Sequence, residues 1–158
     1  MDTRELIELI QAIAKTSGID PNLAVAIAGK ETGLNTLKVR VEPLWKYLVV
    51  PRVFSQKLGI SYETECTLQS MSWNCMQVMG SVARELGFSD HLTRLIQPEL
   101  GILFSCKKLA MLKKQYSNEL DVISSYNQGS PVKNSGGAYR NNQYVVDVSE
   151  KLVQLRRP

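Results

Sequence analysis

Hydrophobic residues recur at intervals of three and four in the first part of the chain, which is the spacing of an amphipathic helix. Asp2 followed by Glu5 is a helix start of the capping-box type, and Ser17-Gly18 ends the helix. Asp20-Pro21 begins a second helix, because Asp is a favoured N-cap and Pro fits the first helical position. Gly33 is a stop signal, so we predict that this second helix ends at about residues 30–32.

The rest of the chain predicts further helices separated by irregular segments. In residues 34–62, Pro43 and Pro51 break any long helix, residues 39–41 suggest a short strand, and Trp45, Tyr47 and Leu48 predict a short buried helical turn. Helices are also predicted at residues 67–71, at 81–86, from Pro98 onward, at 119–126 and at 144–155, with a polar loop at 130–137. Other strand signals are scarce, and no long repeat recurs. The sequence therefore predicts a single, mainly α domain over residues 1–158.

Composition narrows the function classes only slightly. At roughly 100–200 residues per domain, a chain of 158 residues forms one domain. The formal net charge of +4 favours an anionic partner, which could be nucleic acid, a membrane surface or an acidic polysaccharide. The single histidine, His91, and the cysteines Cys66, Cys75 and Cys106 show no metal-binding spacing. We expect no metal site, and three reduced thiols that act as small core residues.

The sequence predicts neither a secretory signal nor insertion into a membrane. Asp2 and Glu5 stand where a signal peptide needs a basic flank, and Glu8 interrupts the apolar run that follows. The longest uncharged stretch, residues 66–83, contains Thr, Gln, Ser and Asn, which a membrane span would avoid. We expect a protein that is made in a cytoplasm and, if it acts elsewhere, is carried there by another component.

Glu31 is the first candidate for chemistry. It follows Ile27 by one helical turn, at the C-terminal end of a helix whose face is otherwise apolar. The helix dipole and burial both disfavour a negative charge at this position, so both would raise the pKa of the carboxyl group. A carboxyl group that stays protonated near neutral pH suits a general acid. The alternative is an ordinary solvated glutamate beside Lys30.

Two other segments add candidate site residues. The uncharged residues 70–80 combine Trp73, Met76 and Gln77, which suits either a cleft wall or a buried connector. Residues 124–129 form a helix end that presents Tyr126 and Asn127 before a glycine. Each segment alone is a weak signal.

Taken in order, these segments resemble the lytic transglycosylase family related to goose-type lysozyme. The family's pattern is Glu-Ser, then Gly-Leu-Met-Gln, then Ala-Tyr-Asn-Ala-Gly; here the matches are Glu31-Thr32, residues 74–77 (Asn-Cys-Met-Gln) and residues 125–129 (Ser-Tyr-Asn-Gln-Gly). Small phage-type members carry Arg-Tyr-Glu-Pro and Ser-Trp-Gly-Leu-Met-Gln-Val-Met-Gly, which are similar to residues 40–43 and 72–80. The resemblance covers residues 20–150.

This resemblance implies a lysozyme-like domain with a cleft for glycan strands and peptidoglycan as its partner. Such enzymes cut between N-acetylmuramic acid and N-acetylglucosamine and leave a 1,6-anhydro sugar. Glu31 falls on the family's catalytic acid. A single carboxyl group that acts first as acid and then as base requires no metal and no cofactor. We further expect a monomer that does not bind nucleic acid.

The resemblance also implies a set of substrate-binding residues: Thr32, Arg40, Glu42, Trp73, Met76, Gln77, Tyr126, Asn127 and Tyr144. Tyr126 matches the tyrosine whose hydroxyl lies near the catalytic acid, and Tyr144 resembles a late tyrosine that lines the same cleft. For Arg40 and Glu42, a structural ion pair and a role in the cleft both stay open. Trp73 either stacks on a sugar or belongs to the core.

Four residues depart from the family's pattern. Thr32 replaces Ser and is expected to keep a hydrogen bond. Asn74 replaces Gly, and Asn tolerates a left-handed backbone better than most residues do. Cys75 replaces Leu as a smaller apolar filler, and Gln128 replaces a small residue, which could narrow the cleft.

Three alternatives remain. A hydrolytic muramidase would use Glu42, Glu63 or Glu65 as a second carboxylate. A nucleic-acid binder would use Lys107-Lys108, Lys113-Lys114 and Arg156-Arg157, although these lysines also fit the solvated face of a helix. A wall-binding module would keep the fold without turnover. The lack of a signal peptide suggests a phage virion component or endolysin, or a bacterial enzyme exported by unusual means.

Overall fold

The computed structural model describes residues 1–157, and over that range the chain is mainly helical. The helices are α1 (Thr3–Thr16), α2 (Pro21–Thr32), α3 (Pro51–Leu58), α4 (Tyr62–Gln69), α5 (Gly80–Glu85), α6 (Pro98–Gln115), α7 (Glu119–Gln128) and α8 (Asn142–Leu155). A 3-10 helix spans Leu92–Ile96, and the strands are β1 (Val39–Val41), β2 (Met71–Trp73) and β3 (Val78–Met79). The prediction of a mainly α fold is confirmed.

The first two helices begin and end where their capping residues predict. The Asp2 carboxylate accepts a hydrogen bond from the backbone N–H of Glu5 at 2.9 Å, and the Glu5 carboxylate accepts one from the N–H of Asp2 at 2.7 Å. Asp20 caps α2 by accepting the N–H of Asn22 at 2.9 Å. Gly33, with φ of 64°, is its left-handed C-cap. These local contacts place Glu31 in the last turn of α2.

Helix α2 lies in the larger of the two hydrophobic clusters. Its six consecutive residues 23–28 are all buried, because α1 and α8 both pack against it. Helices α6 and α7 complete this cluster: α6 packs on α1 and α7, and α7 packs on α8. The cluster therefore supports, from several sides, the helix that carries Glu31.

A small antiparallel sheet has the strand order β1-β2-β3, with Arg40 opposite Ser72 and Trp73 opposite Val78. The sequence predicts only β1. Residues 67–71, predicted as a helix, are divided between the end of α4 and the first residue of β2. Strands of two or three residues are too short to show a period-two pattern, so only pairing with neighbours defines them.

The structure also differs from the prediction around residues 45–51. Residues 45–50 have no regular secondary structure, and Tyr47 is 66% exposed rather than part of a buried helical turn. Pro51 is the first residue of α3, a helix that the sequence does not predict. The N–H that proline lacks would have no partner in the first turn of a helix, so Pro51 fits the first position of α3 at no cost.

The turn between β2 and β3 holds two non-glycine residues in the left-handed region, Asn74 with φ of 68° and Gln77 with φ of 54°. The left-handed backbone expected for Asn74 is confirmed. Its side chain orders the turn as well, since it accepts the N–H of Cys75 at 2.7 Å and donates to the carbonyl of Leu95 at 3.1 Å. Gly101 makes room for it, because a Cβ there would lie 2.4 Å from the Asn74 Cγ.

The cysteines and the helices also bear on two further expectations. Cys75 and Cys106 are buried free thiols, as expected, whereas Cys66 is half-buried. Burial raises the pKa of both Cys75 and Cys106 to about 12, so these two thiols stay protonated and unreactive.

No helix within residues 1–157 combines the length and apolar character that crossing a membrane requires.

Candidate active site

A cleft of about 920 Å³ opens beside the C-terminal end of α2. Residues of the sheet, of the irregular segment after β1 and of helices α6 and α7 form its walls. The sequence-predicted residues that line it are Glu31, Arg40, Glu42, Gln77, Tyr126 and Asn127. The predicted residues from distant parts of the chain therefore meet around one carboxyl group.

Glu31 is half-buried in the last turn of α2. The hydroxyl of Tyr144 on α8 donates a hydrogen bond of 2.8 Å to its Oε1. Next to this pair, Lys30 and Asp147 form an ion pair of 2.5 Å that also joins α2 to α8. Contacts between these two helices therefore orient the Glu31 carboxyl group.

Opposing effects act on the pKa of Glu31. Burial is the largest effect and raises the pKa, because it disfavours the charged form. The hydrogen bond from Tyr144 and the positive charges of Lys108, Arg40 and Lys30 lower it, but the net direction is upward. Glu31 thus holds its proton more tightly than an ordinary glutamate, and its carboxylate has stabilising partners once the proton leaves.

Among these cations, Lys108 lies in an unusual environment. Its Nζ donates to the carbonyl of Tyr126 at 2.6 Å and lies 4.2 Å from the centroid of the Tyr126 ring. Burial lowers the pKa of Lys108 to about 8, and the charge of Glu31 opposes that shift. A charged Lys108 and an ionised Glu31 therefore stabilise each other across the cleft.

Two hydroxyl groups fix the turn between β2 and β3 against the helices. Thr32 donates to the carbonyl of Cys75 at 2.9 Å, so the hydrogen bond expected of its hydroxyl is present. The hydroxyl of Tyr126 donates to the carbonyl of Met76 at 2.8 Å. Burial raises the pKa of this phenol, and the charge of nearby Glu31 raises it further. The phenol that donates a hydrogen bond to Glu31 directly is that of Tyr144 on α8.

Gln77 lines the cleft, but its amide is tied to the protein. It donates to the carbonyls of Asn74 at 2.7 Å and Lys38 at 3.1 Å, and its Oε1 accepts the hydroxyl of Ser72 at 2.8 Å. Only 7% of Gln77 is exposed. Its contribution to the cleft is therefore a fixed polar wall.

Polar side chains at both sides of the cleft are available to a ligand. Arg40 and Glu42 form an ion pair of 2.6 Å, and the Arg40 side chain stays 60% exposed. At the opposite wall, exposed Asn127 accepts a hydrogen bond from Asn141 at 3.1 Å. Gln128, the residue expected to narrow the cleft, does line it.

Four of the predicted substrate-binding residues do not line the cleft: Thr32 and Tyr144, whose hydroxyls bond to Cys75 and Glu31, and the side chains of Trp73 and Met76. Trp73 is 4% exposed and Met76 is fully buried, and neither lines the cleft. The indole of Trp73 donates to the carbonyl of Leu68 and packs in the second hydrophobic cluster, so of the two alternatives left open for Trp73 the structure supports the core, and Trp73 is not a substrate-binding residue. Strand alternation is the reason, because the neighbouring residue of β2, Ser72, is the one that faces the cleft.

The cleft also contains residues that sequence reasoning missed, Trp45, Tyr47 and Lys108. Trp45 and Tyr47 were hidden by the prediction of a buried turn. Lys108 belongs to a Lys-Lys pair predicted to lie on a solvated face, and only its phase on α6 distinguishes it from Lys107.

The remaining ionisable groups bear on the alternatives. Glu63 lies outside the cleft lining, and Glu65 is fully buried against Arg84. Arg156, one of the basic residues suggested for nucleic acid, forms ion pairs with Asp20 and Glu119. Within residues 1–157, no three His, Cys, Asp or Glu side chains are grouped so that they could hold a metal ion.

Replacement of Tyr144 by Phe tests the hydrogen bond to Glu31. Because the phenol stabilises the ionised form, its loss raises the pKa of Glu31 further, and the alkaline limb of the kcat/KM profile moves to higher pH. The loss of a hydrogen bond to a charged group also lowers kcat by about tenfold. Tyr139→Phe, outside the cleft, is the control. An unmoved alkaline limb in Tyr144→Phe would contradict this role.

A half-buried carboxyl group with a raised pKa in an open cleft is suited to act as a general acid. The family model of the Transglycosylase SLT domain matches residues 8–144, and the chain therefore belongs to that family, with its mainly α, lysozyme-like fold. This membership supports lytic transglycosylase activity on peptidoglycan. No curated protein and no solved structure is significantly similar to the chain.

Proposed function

We propose that the protein cuts peptidoglycan strands between N-acetylmuramic acid and N-acetylglucosamine with Glu31 as its only acid/base, and leaves a 1,6-anhydro end. The observation that carries this proposal is the environment of Glu31. Its carboxyl group lies half-buried in the cleft, burial raises its pKa, and Tyr144 fixes one oxygen at 2.8 Å. Family membership supports the substrate class.

The surroundings of the three carboxylates suggested for a hydrolase favour one acid/base over two. A hydrolytic glycosidase holds two carboxyl groups about 5–9.5 Å apart, one as acid and one as nucleophile or base. Glu42 lines the cleft but is paired with Arg40, and Glu65 is held in the interior by Arg84. Glu63 is exposed outside the cleft lining. Of the three candidates for a second carboxylate, only Glu42 lines the cleft; Glu85 of α5, which sequence reasoning missed, lines it as well.

In the proposed mechanism Glu31 donates one proton and later accepts another. Its carboxyl group protonates the leaving glycosidic oxygen while the N-acetyl oxygen of the substrate assists at the anomeric carbon. The carboxylate then takes the proton of the 6-hydroxyl, and the oxygen of that group bonds to the anomeric carbon and displaces the N-acetyl oxygen, which closes the anhydro ring. Between these steps, the Tyr144 hydroxyl and the charges of Lys108 and Arg40 stabilise the carboxylate.

Product analysis tests the proposal directly. We expect mass spectrometry of digested, purified peptidoglycan to find fragments that end in 1,6-anhydro-N-acetylmuramic acid, each lighter by one water than the hydrolysis product. Borohydride reduction, which labels only reducing ends, is the matched check on the same digest. A digest dominated by reducible ends would support a hydrolytic muramidase and overturn the transglycosylase proposal.

A further inference from the structure

Trp45 and Tyr47 form a pair of aromatic rings on the wall of the cleft. Both residues line the cavity that contains Glu31. Their ring centroids are 5.4 Å apart and the ring planes meet at 75°, an edge-to-face arrangement. Tyr47 is 66% exposed, whereas Trp45 is half-buried. An exposed aromatic ring inside a cleft offers an apolar face to a ligand, and its phenol group adds a polar end.

The protein holds this pair in place by specific hydrogen bonds. The indole N–H of Trp45 donates to the hydroxyl of Ser81 at 2.9 Å and to the carbonyl of Tyr47 at 3.0 Å. Residues 45–50 have no regular secondary structure, so these side-chain contacts replace the helical or strand bonds that usually order a backbone.

A second set of contacts fixes the same segment from below. The fully buried amide of Gln69 accepts the N–H of Val49 at 2.7 Å and donates to the carbonyl of Val49 at 2.9 Å. Gln69 also donates to the carboxylate of Glu65 at 2.9 Å. Val50, which follows Val49 in the chain, has φ of 33°. β-Branched residues rarely adopt this backbone conformation, so surrounding contacts must maintain it.

We propose that Trp45 and Tyr47 form a sugar-binding subsite of the cleft, where one pyranose ring of the glycan strand stacks on the exposed tyrosine ring. This inference rests on the proposed function, and it adds a second position at which the protein binds the strand, besides the reacting bond. The C–H face of a pyranose is apolar and fits against an aromatic face, while its hydroxyl groups meet the polar side chains of Arg40 and Glu42.

The rigidity of the segment supports this assignment. Ligand binding costs free energy for each side chain or loop that must be ordered. The Gln69 contacts and the Trp45–Ser81 hydrogen bond order this segment before any ligand arrives. Tyr47 replaces Trp73 as the stacking residue, since Trp73 is buried behind the sheet.

Binding of N-acetylglucosamine tetrasaccharide to the Glu31→Gln protein, measured by calorimetry, tests the subsite without turnover. We expect Tyr47→Ala in this background to raise Kd by about tenfold, while Tyr47→Phe keeps the ring and stays within about twofold of the parent. Leu44→Ala is the matched control, because Leu44 is 94% exposed directly before this segment but does not line the cleft. It should bind as the parent does.

Equal affinity of Tyr47→Ala and the parent, or no saturable binding by the parent, would overturn the subsite. An equal loss in Leu44→Ala would do so as well, because it would show a general disturbance of the segment. The assay does not depend on cleavage. If Glu31→Gln alone still digested peptidoglycan while Tyr47→Ala weakened binding, the proposed function would fail and the subsite would stand.

Discussion

Glu31→Gln is expected to lower the release of soluble fragments from purified peptidoglycan by more than about a hundredfold, since a positioned acid/base contributes on the order of 10²–10⁴-fold. The amide has nearly the size of the carboxyl group, and its oxygen can still accept the Tyr144 hydroxyl, so the local packing survives. The amide cannot supply a proton to the leaving oxygen or take one from the 6-hydroxyl. Both halves of the proposed mechanism fail together.

Two comparisons make this result specific. Glu63→Gln carries the same chemical change at an exposed position outside the cleft lining, and it should keep parental activity. The thermal transition of Glu31→Gln, followed by circular dichroism, should match that of the parent, which separates lost chemistry from lost fold. Activity of Glu31→Gln within tenfold of the parent would remove Glu31 from its catalytic role.

The parts of the fold that sequence predicts are those defined by local contacts. Asp2 and Gly33 act on their own helix ends, so the start of α1 and the end of α2 follow from the residues themselves. Strands β2 and β3 exist only because they pair with each other and β2 pairs with β1. Residues 45–50 are ordered by Gln69 and Ser81, which lie far along the chain. No local pattern contains that information.

The same distinction applies to the site. The position of Glu31 at a helix end could be expected from the local caps of α2, and the apolar face of that helix indicated the burial that raises the pKa of Glu31. Which tyrosine contacts Glu31 could not, since it depends on how α8 packs against α2. The orientation of Trp73 depends on the register of β2 in a sheet that the sequence does not show.

The ion pair between Arg84 and Glu65 has no local signal either. The guanidinium donates to both carboxylate oxygens, at 2.8 and 3.0 Å, and to the carbonyls of Phe88 and Asp90 at 2.9 and 2.7 Å. Both side chains are fully buried, and the guanidinium carbon lies 4.0 Å from the centroid of the Phe54 ring. Through Glu65 and Gln69 this pair also supports the segment that lines the cleft.

Arg84→Met is therefore expected to destabilise the protein by about 3–5 kcal/mol, because it leaves the Glu65 carboxylate buried without its charged partner. Urea denaturation followed by far-UV circular dichroism measures this change. Arg4→Met breaks an exposed pair, Arg4–Glu8, and should change stability by less than about 1 kcal/mol. The double variant Arg84→Met/Glu65→Leu should recover part of the loss, since it removes the unpaired charge together with its partner. An Arg84→Met protein no less stable than Arg4→Met would show that the buried pair contributes nothing to stability. The segment that lines the cleft would then have to be held by Gln69 and Ser81 alone.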